Sequence, residues 1–337
     1  MARPPLKPVV WTPPPPADWG ELRADAPNLL LRLVAVPGEG PEDVLVDESG
    51  RILTGLADGR ILAITLGYQP GTDKVEVVAD TGGRPLGIEL VGDGTLLVCD
   101  AHRGLLRVDP ESGGVQVLAT EAGGVRLNFC NNAALGAGGT VWFTDSSQRF
   151  GIDNWMGDIL EHSGTGRLLR RDPGGVIEVV REGLHFPNGV AMAVDGSYLI
   201  YAETGAYTLT KLWLTGEHGG TVEPFGGVLP GFPDNISTGS DGLIWVALAA
   251  PRDSLLDRVS PMPGVVRKLN WALPAKLRPG PAKAAWVIAM DGAGRVVHDL
   301  HDRGTNFDLV TGVREHQGKV FLGSLTGSAI AVATRPS

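Results

Sequence analysis

Cysteine is nearly absent from this 337-residue chain, which holds only Cys99 and Cys130. A small secreted scaffold built on disulfides carries more. Each of the two lies in or beside an apolar strand-like stretch, so buried free thiols are expected rather than a bridge. No apolar run reaches the roughly 18 residues of a transmembrane helix. The opening stretch MARPPLKPVVWTPPPPADWG lacks the apolar core of a signal peptide, and a cytoplasmic protein with no membrane association is the expectation. Basic residues are outnumbered, 29 Lys and Arg against 38 Asp and Glu, for a net charge of −9. Binding a phosphate backbone needs a basic face, so the charge balance argues against nucleic acid, and a small-molecule substrate is expected. Several catalytic signatures are also missing: the G-x-S-x-G elbow, the Walker loop and H-E-x-x-H.

Turn residues, by contrast, are plentiful, with 48 Gly and 25 Pro. They are not scattered. Six segments share one outline of apolar strand, Gly-containing turn and second β-rich strand. These are EDVLVDESGRILTGL, LGIELVGDGTLLVCD, NAALGAGGTVWFTDS, NGVAMAVDGSYLIYAET, NISTGSDGLIWVALA and FDLVTGVREHQGKVFLGSL. Their turn glycines are Gly50, Gly94, Gly139, Gly196, Gly242 and Gly318, separated by 44, 45, 57, 46 and 76 residues. A four-stranded propeller blade takes about 40–50 residues. The pattern predicts an all-β fold, a single six-bladed β-propeller with four-stranded antiparallel blades.

The two long gaps hold inserts. One is QRFGIDNWMGDILEHSGTG; the other, at 251–283, carries apolar residues at helical spacing and is cut by Pro261, Pro263 and Pro274 into two short helices at most. This blade-five insert reads equally as a surface packing element or as a lid over the propeller mouth. After the last repeat only one strand remains, so LLLRLVAV at 29–36 is predicted to complete the final blade and tie the termini together. Residues 1–28 form an N-terminal arm and 29–337 the propeller.

In a propeller the first strand of each blade lines the central channel. The starts of these strands read Pro-Glu42-Asp43, Gly-Arg84-Pro-Leu86, Cys130-Asn131-Asn132, Phe186-Pro187-Asn188, Phe232-Pro233-Asp234-Asn235 and Gly304-Thr305-Asn306. Residues at one register of different blades converge near the axis, so Glu42, Asn131, Asn188 and Asp234 would set four side-chain oxygens around one point. Two carboxylates and two amides suit a hard cation with oxygen ligands, calcium before magnesium or manganese and well before zinc.

The same stretches carry a family resemblance. GRPLGIEL at 83–90, TDSSQRF at 144–150, GLHFPNGVAMAVDGSYLIYAET at 183–204 and LPGFPDNISTGSDGLIWVAL at 229–248 resemble the strictosidine synthase-like family of the calcium-dependent phosphotriesterase superfamily. That superfamily includes gluconolactonase, paraoxonase and diisopropyl fluorophosphatase. The resemblance implies a calcium site on Glu42, Asn131, Asn188 and Asp234. Two departures stand out. Asn132 replaces the Asp usual after the first Asn, and Thr305 stands where strictosidine synthase has its catalytic glutamate, which argues against a condensation of that type.

The expected function is therefore a calcium-dependent hydrolase of a lactone or related ester. Asp234 serves as metal ligand and as general base or nucleophile, and His185 or His102 as an assisting base. Arg84, Thr305 and Asn132 are the substrate-contact candidates. A propeller that binds a ligand or protein around structural calcium, or a phosphotriester hydrolase at the same metal, are the alternatives.

Overall fold

A computed structural model describes residues 3–15, 29–274, 277–278, 280–302 and 307–336. Among them are six four-stranded antiparallel sheets and one two-stranded ribbon. Each sheet is one blade, and five blades are continuous in sequence. The inner strands of blades one to five are Val44–Val46, Pro85–Leu90, Cys130–Leu135, Pro187–Met192 and Gly231–Thr238. The sixth blade runs from Val310–His316 through Lys319–Ser324 to Ala329–Thr334. Its outer strand is Arg32–Ala35 from the other end of the chain, with Arg32 opposite Val332 and Ala35 opposite Ala329. The predicted closure is what forms, and it leaves no open edge at the seam.

The glycine turns recur for a backbone reason. All six repeat glycines sit at positive φ, from 70° at Gly196 to 84° at Gly94, where any side chain would be strained. They join the inner strand of each blade to the next, so the repeat in sequence marks a repeat of conformation.

Core packing follows from strands that are buried on both faces. Every junction between neighbouring blades holds its own apolar cluster. Between blades four and five, for example, Ile200 and Leu209 pack on Ile236, Val246 and Trp286. Between blades six and one, Phe321 and Ile330 pack on Val44 and Ile52. Cys99 and Cys130 are both free and fully buried at the junction of blades two and three.

Both inserts become helical above one end of the channel. Helix α1 (Trp155–Glu161) comes from blade three; α2 (Ser254–Val259) and α3 (Val265–Ala272) come from blade five. The prolines separate α2 from α3, as the sequence predicts. The arm at residues 3–15 is extended and laces these helices together. Val9 N–H donates to Glu161 O at 2.8 Å, and Trp271 Nε1 donates to Pro4 O at 3.0 Å. The Arg267 guanidinium donates to Leu160 O, Val9 O and Ser260 O, at 3.1, 2.9 and 3.2 Å. Leu6 packs beside Phe150 and Trp271. Among the described residues no helix is long and apolar enough to cross a membrane.

Candidate functional site

Backbone irregularity at a common register shapes the channel mouth. In blades two to six the pairing of the inner strand shifts near its start, between Pro85 and Ile88, Cys130 and Ala133, Pro187 and Val190, Pro233 and Ile236, and Val310 and Val313. Such bulges re-aim side chains. The first of the two residues inside each shift, with Glu42 ahead of the first strand, makes a ring of six: Glu42, Leu86, Asn131, Asn188, Asp234 and Thr311. All six line one cavity of about 180 Å3. The inner strand of blade six starts at Val310, so Thr311 holds the ring position there. Thr305 lies outside the described residues.

One residue further along each strand, small and polar side chains alternate: Asp43, Gly87, Asn132, Gly189, Asn235 and Gly312. The alternation is steric. A Cβ on Gly189 would lie 2.2 Å from Ile236 N, and one on Gly312 would lie 2.7 Å from the Asp43 Cα. The three polar side chains fill the axis that the glycines leave open. Asp43 accepts from Val44 N–H and Ile88 N–H at 2.8 and 3.1 Å, Asn132 Oδ1 accepts from Val190 N–H at 3.0 Å, and Asn235 Nδ2 donates to Glu42 Oε2 at 3.1 Å.

Hydroxyls from one blade hold the ring peptides of the next. Thr144 Oγ1 donates to Asn188 O at 2.7 Å, Ser146 Oγ to Pro187 O at 2.7 Å, Thr204 Oγ1 to Pro233 O at 2.5 Å and Thr311 Oγ1 to Glu42 O at 2.8 Å. Carboxylates at the ends of second strands hold the loops that lead in. Asp100 accepts from Arg84 N–H at 3.0 Å, Asp145 from Phe129 N–H at 2.7 Å and Glu203 from His185 N–H at 2.9 Å. Asp145 is paired with Arg167, and both are fully buried.

The chemistry of the ring lies in what remains unpaired. Asn131 turns its Nδ2 to Ser146 Oγ at 2.9 Å, and the Asn188 amide donates to the Asp234 carboxylate. Among the described residues Asn131 Oδ1, Asn188 Oδ1 and Asp234 Oδ1 are then buried with no donor to meet them. Buried acceptors are costly unless something positive satisfies them. Burial pushes Asp234 up to about 8. Burial, then the Asp234 and Asp43 carboxylates, pushes Glu42 well above the usual carboxylate range. Burial also lifts Asp43 to about 6, against the pull of Arg314. A divalent cation would relieve the crowding of negative charge and supply partners for the unpaired oxygens, so the donor set fits a hard cation. Among the described residues no group of three or more His, Cys, Asp or Glu is arranged to hold a metal. The oxygen set here has two carboxylates and two amides, not a softer nitrogen or sulfur set.

The other candidates lie elsewhere. Arg84 is buried and spent on backbone, Nη1 donating to Gly40 O at 2.8 Å, and it does not line the cavity. His102 is exposed beyond the second strand of blade two. His185 stacks on His162 with ring centroids 3.8 Å apart, and His162 stacks on Trp11 at 4.0 Å. Burial keeps His185 below its usual range and His162 at about 3, so this column is neutral at physiological pH and outside the cavity lining. Asn132 sits beneath the ring. Sequence reasoning overlooked Asn235, Thr311 and the hydroxyl series. The parallel placement of Thr144-Asp145-Ser146 and Glu203-Thr204 at the ends of successive second strands was the available signal.

Above the ring the walls are apolar. Leu86, Phe129 and Phe186 cluster beneath Ile152, Trp155 and Ile159, and Leu256, Val259 and Val266 of the blade-five insert close the opposite side. The insert is thus part of the cavity wall rather than a remote surface element.

Two family profiles match the chain, strictosidine synthase over residues 134–217 and the N-terminal strictosidine synthase-like region over 30–64. Strictosidine synthase-like protein 3 of Arabidopsis thaliana is 35% identical over 326 residues, covering 88% of this chain and 83% of that protein. Among solved structures, a gluconolactonase from Xanthomonas campestris aligns with TM-score 0.64 at 17% identity, covering 99% of this chain and 95% of that one. A calcium-binding regucalcin from Agrobacterium tumefaciens aligns with TM-score 0.61 at 14% identity, covering 93% and 97%. At those identities the two structures establish the shared propeller fold.

Proposed function

This chain belongs to the strictosidine synthase-like family, and from that membership and its oxygen-floored cavity we propose that it is a calcium-dependent hydrolase of a lactone or related ester. The observation that carries the reading is the set of three unpaired buried oxygens on Asn131, Asn188 and Asp234. With Glu42 they would hold the ion. The names of two structural neighbours, a gluconolactonase and a calcium-binding regucalcin, support the chemistry. Bound calcium supplies a Lewis acid that polarises an ester carbonyl and stabilises the oxyanion.

The chain's own groups divide the remaining work. Asp234 and Glu42 are the ring carboxylates, and Asp234 Oδ1 is buried with no donor among the described residues. The Asp234 carboxylate, touching the ion through one oxygen, is the group that would accept a proton from attacking water. The Asn188 amide fixes the orientation of that carboxylate, and Asn235 fixes Glu42. Apolar walls keep bulk water out and so strengthen each charge interaction at the floor.

The test is hydrolysis of lactones, aryl esters and phosphotriesters by chelator-stripped protein, with and without added calcium. Calcium-restored turnover of a lactone or ester, lost in Asp234→Asn, supports the reading. Turnover confined to phosphotriesters would move the activity to that class. Calcium binding without turnover of any of them would leave a binding propeller.

A further inference from the structure

The cavity's polarity is sharply divided, and the division selects a substrate class. Its polar side chains lie on the floor and at three positions of the blade-five insert, Asp253, Arg267 and Asn270, and several are already engaged. Thr204 and Thr311 donate their hydroxyls to Pro233 O and Glu42 O, and Asn131 spends its amide nitrogen on Ser146. At the rim Asp253 caps α2 by accepting from Leu255 N–H and Leu256 N–H. Arg267 is the one cation among the described lining residues, and its guanidinium donates to three backbone carbonyls. Both its Nη atoms are engaged in this way, and no second Lys or Arg stands among the described lining residues to meet a carboxylate or phosphate on the ligand.

Between floor and rim the wall is hydrocarbon: Phe129, Phe186, Trp155, Ile159, Leu256 and Val259. The rim continues in kind. Leu255 and Val266 line the cavity and are also 54% and 43% exposed, so the approach is apolar too.

From this division we infer that the ligand is an uncharged carbonyl compound with a hydrocarbon tail, its carbonyl on the ring and its tail between α1 and the blade-five insert. The inference rests on the hydrolase reading for the carbonyl and on the wall alone for the tail. A polyhydroxylated lactone is disfavoured for a plain reason. Its hydroxyls would leave water for a wall with few donors or acceptors, and each would go unpaired. The substrate class therefore differs from the sugar lactone named for the structural neighbour from Xanthomonas campestris.

The experiment separates tail from turnover. Binding is measured calorimetrically on the full-length, calcium-supplemented protein with two series of rising chain length: γ-alkyl lactones, and 2-alkanones, which have no ester bond to cleave. Gluconolactone is the comparison ligand. The expected result is affinity that rises about threefold to fourfold per added methylene until the wall is filled, with gluconolactone at least tenfold weaker than the best lactone. In Leu256→Asn, checked by thermal melting for a native fold, the slope flattens. Affinity independent of chain length in the parent protein, or gluconolactone binding as tightly as the alkyl lactones, overturns the inference. Rising affinity in both series without lactone cleavage upholds the substrate class and refutes only the hydrolase reading. Cleavage of gluconolactone with flat alkyl binding does the reverse.

Discussion

Calcium binding to this site should release protons, and the number can be worked from the ring. Asp234 is pushed up to about 8 by burial. At pH 7 a group with that value is about nine-tenths protonated. Glu42 is shifted in the same direction, by burial and by Asp234 and Asp43. Metal ligands must shed their protons, so binding at pH 7 displaces about one proton from Asp234 and up to about one more from Glu42. The sign follows. Protons compete with calcium below about pH 8, so affinity falls about tenfold per pH unit for each proton displaced as the pH drops from 8 to 6. Above about 8 the Asp234 share of the dependence disappears. The assay is isothermal titration calorimetry at pH 7 in two buffers of different ionisation enthalpy, repeated at pH 6 and 8. The slope of observed enthalpy against buffer enthalpy counts protons. A count near zero with affinity flat across that range would refute the reasoning, because the carboxylates would then be ionised before calcium arrives.

Other predictions test separate parts of the account. Asn235→Ala removes the donor to Glu42 and should weaken calcium binding by about tenfold, the worth of one charge-assisted hydrogen bond, in the same titration. Arg167→Met strands the buried Asp145 carboxylate, and denaturant melts should show a loss of about 3–5 kcal/mol; a loss below about 1 kcal/mol would mean that the pair does not hold the loop before Asn131. Asp158, in α1, is raised by burial from 3.8 to about 6, so the folded state holds its proton more tightly than the unfolded chain. Its contribution therefore favours folding at low pH and is withdrawn as pH rises from about 4 to 6, by at most about 3 kcal/mol. Asp158→Asn should remove that slope in urea midpoints measured between pH 4 and 7, and an unchanged slope would contradict the assignment. Gly189→Ala forces a methyl group into the backbone of blade five at Ile236 N; it should cost about 1–3 kcal/mol and weaken calcium binding together, since Asn188 and Asp234 meet across that contact.

Blade count and closure were legible because each turn demands one backbone conformation that glycine adopts without strain. Six glycines at positive φ leave a trace at every hairpin. The ring was legible in four blades for a related reason, a polar residue interrupting an apolar strand start at matching register. It was not legible in blades two and six, where Leu86 and Thr311 look like ordinary strand residues. Arg84 shows the limit of register reasoning: its position in sequence is beside the mouth, yet its guanidinium turns to Gly40 O and away from the cavity. The arm was readable only as extended, because its contacts with α1 and α3 join residues separated by as many as 268 positions and follow no period. Partners of that kind are fixed by packing rather than by local propensity.

A crystal structure grown in calcium, with an anomalous map recorded at long wavelength, tests the central claim most directly. The account predicts one strong peak on the channel axis, coordinated at about 2.3–2.6 Å by oxygens of Glu42, Asn131, Asn188 and Asp234. A cavity floor with no such peak, and Asp234 sharing a proton with Glu42 instead, would contradict it.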